Sequence, residues 1–192
     1  MRVITPAAWV AQPWRNGRGV THEIVRWPAL PSAPLASPDE ALRTGLEAPY
    51  ELRISLAAVT ADGPFSTFPG QRRWSILAGA GGVALAPDPA RAGRTDVPAF
   101  ATVRLAAPGA VVELDGAVPL VARLLGGPTH LLNVLATVPV ACGAGPTTRA
   151  VLAVIALVDT PTLPRWHARV FDDPAVTDTT GCAWVTWAAG RP

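Results

Sequence analysis

Glu51-Leu52-Arg53-Ile54-Ser55-Leu56 alternates polar and apolar residues without a break. A period of two puts Leu52, Ile54 and Leu56 on one face of a strand and Glu51, Arg53 and Ser55 on the other. The same reading extends outward to 20–25 and 73–77. From the latter, Gly79-Ala80-Gly81-Gly82, the length of a hairpin loop, leads into Val83-Ala84-Leu85. Further strands are expected over 102–105, 110–114, 120–125, 131–136, 150–158 and 182–187. About ten short strands predict an all-β sandwich or barrel, one domain over residues 1–192.

Two short helices are expected beside the strands. Thr5 suits an N-cap and Pro6 the first helical position, with Ala7 to Ala11 following before Pro13 stops the helix. Ser37 and Glu40 have the spacing of a capping box for a one-turn helix. That pair lies in the Pro/Ala/Ser-rich stretch 28–49, otherwise a long surface loop. Ser75-Ile76-Leu77-Ala78-Gly79 and Arg123-Leu124-Leu125-Gly126-Gly127 are similar, but too short to establish a repeat.

Composition removes several functions. The chain of 192 residues has 21 Pro and 17 Gly, which suits tight turns and leaves little room for long helices. All 16 basic side chains are Arg, so a Walker-A phosphate loop, a Schiff-base lysine and a lysine general base are excluded. Net charge is +2, and the arginines are scattered apart from Arg72-Arg73, so no nucleic-acid partner is expected. The start of the chain has no apolar leader, and the longest apolar run, 150–158, is half a membrane span and predicts a buried strand. Cys142 and Cys182 make no disulfide framework. A cytoplasmic protein without membrane contact is expected.

Gly79-Ala80-Gly81-Gly82-Val83-Ala84 fits the dinucleotide-binding pattern. That site needs a helix beginning there, and Pro87-Asp88-Pro89 forbids one. A serine-hydrolase elbow is absent. His22 adjoins Glu23, and neighbours on a strand face opposite ways, which makes them a poor metal pair. A site built from His22, His130 and a carboxylate is the alternative that would make the protein a metal-dependent enzyme. Without such a set no cofactor is expected.

Three polar constellations remain. Trp14-Arg15-Asn16-Gly17-Arg18-Gly19 leads into Thr21 and Glu23, which share a strand face. It is either a ligand-approaching loop or a turn packed under Trp14. Glu51, Arg53 and Ser55 form a stripe that faces water on a sandwich and a ligand cavity in a small barrel. Arg72 and Arg73 join Asn133, an amide within the apolar strand 131–135 that needs partners. Convergence of these groups would suit a carboxylate, which guanidinium binds bidentately.

Three stretches carry a family resemblance: PWRNGRGVTHEI (13–24), ELRISLAAVTADGPFSTFPGQRRWSILAGAGGVAL (51–85) and ARLLGGPTHLLNVLA (122–136). In this order, and above all in the core from Asp62 to Arg73, the chain resembles the HutD/Ves family of cupin-like proteins. The resemblance implies a double cupin-like β-barrel (bicupin). It further implies a non-enzymatic, cytoplasmic protein that binds a small acidic metabolite such as N-formylglutamate or formate and tempers histidine utilisation. The family's recurring polar positions fall on Asn16, Thr21, Glu23, Arg53, Ser55, Ser66, Arg73 and Asn133. Arg15 stands where lysine is usual, and Arg18 interrupts a glycine run. His130 replaces an acidic residue, which adds it to the candidate ligand-binding residues. Cupin-like barrels pair through exposed strands, and the seven tryptophans could supply a homodimer interface.

Overall fold

The computed structural model describes residues 1–14, 19–27, 50–91 and 101–187. Fifteen strands lie in this part of the chain. They are β1 (Arg2–Ile4), β2 (Val10–Pro13), β3 (Val20–Trp27), β4 (Leu52–Val59), β5 (Gly63–Phe65), β6 (Arg72–Leu77), β7 (Val83–Pro87) and β8 (Val103–Leu105). After these come β9 (Val111–Asp115), β10 (Leu120–Leu124), β11 (Thr129–Ala136), β12 (Val140–Ala144), β13 (Val151–Ala156), β14 (Ala168–Ala175) and β15 (Cys182–Trp187).

The strands form three sheets, antiparallel throughout, in the orders β2-β3-β4-β11-β6-β9, β1-β14-β13-β15-β12 and β5-β10-β7-β8. The six-stranded sheet is the middle layer, because both of its faces are buried. On one face Leu52, Ile54, Leu56, Trp74, Ile76, Leu132 and Val134 pack with Ala153, Ile155, Val170 and Val185 of the five-stranded sheet. On the other, Val59, Leu77 and Leu131 pack with Val83, Leu85, Leu105 and Leu120 of the four-stranded sheet. Burial of both faces is why the end of β4 (56–59) and most of β11 read as apolar runs rather than as an alternation.

All ten expected strands are present. The run 150–158 gives the fully buried β13. Five strands were not legible. Among them, β5 contains Pro64, β12 contains Gly143, and β14 carries Asp-Asp-Pro. The last is tolerated because the β13–β14 register breaks there, pairing Val151 with Ala175 and Ala153 with Val170.

Two expectations are corrected. The first helix is a single 3₁₀ turn, Pro6–Ala8, with Thr5 extended and making no side-chain cap. Gln12 and Pro13 belong to β2, which pairs with β3 and ends what would have been a longer helix. A second 3₁₀ turn, Pro89–Arg91, had no clear signal. The helix at Ser37 and the loop 28–49 lie outside the described residues. The other correction concerns 79–82, which is no hairpin: β6 pairs with β11 and β9, whereas β7 pairs with β10 and β8. The glycines let this inter-sheet crossing pass directly over 127–130. A Cβ on Gly79 would stand 2.7 Å from Thr129 Oγ1, and one on Gly81 would collide with the Gly127 carbonyl. Among the described residues no helix is long and apolar enough to cross a membrane.

Candidate functional site

The face of the six-stranded sheet toward β5 is apolar at one end and polar at the other. Strand alternation does this. Ser55, Asn133 and Ser75 are direct cross-strand partners, as are Arg53, Leu135 and Arg73 in the next row. Glu23 extends the first row on β3, and Arg26 the second. Above these rows lies a cavity of about 560 Å³, roofed by Phe65 to Pro69. Thr21, Arg53, Ser55, Ser66, Arg73 and Asn133 all line it. Six of the nine residues singled out in the sequence thus converge.

Arg73 is the centre of the polar end. Its side chain is buried, with 5% of the residue exposed. Nη2 and Nε donate to Asn133 Oδ1 at 2.8 and 3.3 Å, and Nη1 donates to the Ser66 carbonyl at 3.0 Å. Phe65 lies under the guanidinium, 3.8 Å from ring centroid to Cζ, and Phe68 is at 5.7 Å. Among the described residues no carboxylate pairs with it. Burial, reinforced by the like charge of Arg53, pushes its pKa down to about 9, which still leaves a cation at neutral pH. Three of its five hydrogens are used, so each terminal nitrogen keeps one, the spacing that matches two carboxylate oxygens.

Asn133 is oriented by its neighbours. Ser75 Oγ donates to Oδ1 at 2.8 Å alongside Arg73, so the amide oxygen is committed and Nδ2 is left with one long bond, 3.4 Å, to the Leu131 carbonyl. The Ser55 hydroxyl, buried on the neighbouring strand, makes no hydrogen bond within the described residues. Arg73, Asn133 and Ser55 therefore present unused donors to one chamber. Ser66 contributes its backbone carbonyl to Arg73, and its own side chain is exposed.

Arg53 has the opposite circumstances. Its Nε donates to Glu23 Oε2 at 2.8 Å, and its Nη2 to Gln12 Oε1. Arg26 binds the same carboxylate through Nε (2.9 Å) and Nη2 (2.7 Å), and Gln12 Nε2 adds a bond of 3.2 Å. Burial works to raise the Glu23 pKa, but the hydrogen bonds and charges of Arg26 and Arg53 outweigh it and hold the carboxyl below its ordinary value. Glu23 is consumed by this network and orients Arg53. It does not line the cavity. The network exists because of a β-bulge. Residues 23 and 26 would face apart on a regular strand, but the register shift between Glu23 and Val25 returns Arg26 to the face of Glu23.

The other candidates lie elsewhere. His130 alternates onto the opposite face of the sheet, 5.7 Å from the Trp166 ring. Burial, then Arg165 and His22, lower its pKa. His22 also faces away, against Trp9. Arg72 points off the cavity face and pairs with Glu113 at the surface. Asn16 lies outside the described residues. Among the described residues no three His, Cys, Asp or Glu side chains gather. Sequence reasoning missed Gln12, hidden in the expected helix, and Arg26, whose face depends on the bulge. Ser75 was legible, since it shares the face of Arg73 by simple alternation.

Fold and cavity together define an all-β protein with an arginine-lined cavity over one face of its middle sheet. The chain belongs to the HutD family, whose sequence profile matches residues 7–144. HutD from Pseudomonas fluorescens, solved in a formate condition, is similar over 96% of both chains at 23% identity and a TM-score of 0.67. A conserved protein of unknown function from Pseudomonas aeruginosa is similar over 96% of this chain and 95% of its own, at 19% identity and a TM-score of 0.64. No curated protein matches the chain.

Proposed function

We propose that this protein is a cytoplasmic, non-catalytic binding module that takes a small carboxylate into the 560 Å³ cavity and thereby modulates histidine utilisation. In this reading the outer sheets and the shared middle sheet make two cupin-like barrels, of which the one containing β5 holds the ligand. The supporting observation is Arg73, a buried guanidinium with no carboxylate partner among the described residues. An isolated charge in such surroundings is costly, and an anion that meets its two remaining donors relieves that cost. The Asn133 amide and Ser55 hydroxyl give the same anion further donors. The chamber is larger than formate requires, which favours a carboxylate with additional atoms such as N-formylglutamate. That the relative from Pseudomonas fluorescens was solved in a formate condition supports formate as the minimal probe.

Isothermal calorimetry with formate and N-formylglutamate tests this reading. Saturable binding to the unsubstituted protein is expected, with N-formylglutamate the tighter, and Arg73→Ala should abolish both. No saturable heat across a panel of small carboxylates would overturn it.

A further inference from the structure

Trp14 lines one wall of the cavity. Its indole lines the chamber and also a recess of about 10 Å³ beyond it, walled by Val59, Asp62, Gly63 and Ala122. Pro64 and Phe65 border both spaces as well, so they and the indole form the partition between them. The indole is pinned at its polar edge, where Nε1 donates to Thr21 Oγ1 at 2.8 Å. Behind it lies Gly19, whose backbone carbonyl accepts from Trp14 N at 2.9 Å. A Cβ built on Gly19 would stand 2.9 to 3.0 Å from three atoms of the indole, closer than side chains tolerate. Only a residue without a side chain here leaves the indole in this position. One ring, one hydroxyl and one missing methyl group set the position of this wall.

We infer that Trp14, backed by Gly19, is a specificity-determining residue that limits the length of carboxylate the cavity accepts. The inference rests on the carboxylate-binding reading of the same cavity. Its physics is steric. Arg73 fixes the carboxylate, and whatever extends from it toward Trp14 meets a ring that cannot retreat past Gly19 without colliding with backbone. Removing the indole joins the chamber to the recess. Adding a methyl group behind the indole drives it into the chamber.

The two substitutions should therefore act in opposite directions. Calorimetry with formate, propionate and hexanoate on the full chain measures this. Trp14→Leu should bind hexanoate at least tenfold more tightly than the unsubstituted protein does, with formate changed less than twofold. Gly19→Ala, which removes no core side chain, should weaken hexanoate at least fivefold and again leave formate within twofold. If all three acids shift together in either variant, the wall has a structural role only and the inference is overturned. An unchanged chain-length profile in both variants overturns it too. Absence of carboxylate binding to the unsubstituted protein would instead overturn the binding reading, and this inference with it.

Discussion

Arg53 and Arg73 occupy the same lateral row of one sheet, two strands apart with Leu135 between them, and both are about 95% buried. Arg53 faces Glu23 at 2.8 Å and shares that carboxylate with Arg26. Arg73 faces an amide oxygen, a backbone carbonyl and two phenyl rings. Two arginines of equal burial and equal register thus differ in whether the described residues supply a counter-charge. The first arrangement is a brace; the second leaves the charge open, as the proposed anion site requires. Asn133 is the residue that makes the difference, because it satisfies Arg73 geometrically while adding no charge.

The largest effect is expected where the brace is broken. Glu23→Gln removes the carboxylate that Arg26 and Arg53 share and should cost about 3 kcal/mol of stability in denaturant unfolding. A loss below about 1 kcal/mol would mean that Glu23 is not what holds those charges. The pH dependence has a definite sign. The Glu23 carboxyl is held below its ordinary value in the fold, so its contribution is complete above the unfolded pKa of roughly 4.3. It fades as pH falls through the lower folded value. The stability gap between Glu23→Gln and the unsubstituted protein should therefore be constant near neutrality and close in acid.

Converting the open site into a second brace gives the next effect. Asn133→Asp places a carboxylate against Arg73, and formate affinity should fall about a hundredfold, or roughly 2.7 kcal/mol, while the melting temperature holds or rises. Retained affinity would show that the anion does not depend on the open charge of Arg73. Ser55→Ala removes one unused donor and should weaken formate about threefold, within the range of a single neutral hydrogen bond. No change in calorimetry would place Ser55 outside the ligand's reach.

Much of this contrast was legible in the sequence, and the illegible part has a common cause. The alternation of 51–56 fixed the faces of Arg53 and Ser55, and an amide isolated among apolar neighbours pointed to Asn133. Those inferences need only period two. Glu23 was placed on the right face, but its pairing was not legible, because its partner Arg26 reaches that face through a bulge that no local pattern announces. His130 was drawn in by the resemblance alone, although the same alternation that places Asn133 in the chamber turns His130 away from it. The loop 79–82 has hairpin length, yet it crosses between sheets, since loop length cannot reveal the partner of a strand when three sheets compete. Local periodicity decides faces; pairing and bulges decide neighbours.

In the proposed function the open charge of Arg73 binds the anion and destabilises the empty protein. Thermal unfolding against formate concentration, for the unsubstituted protein and Arg73→Met, tests it most directly. Without formate Arg73→Met should melt at or above the unsubstituted protein, and only the unsubstituted protein should gain melting temperature as formate is added. A less stable Arg73→Met that still responds to formate would contradict it.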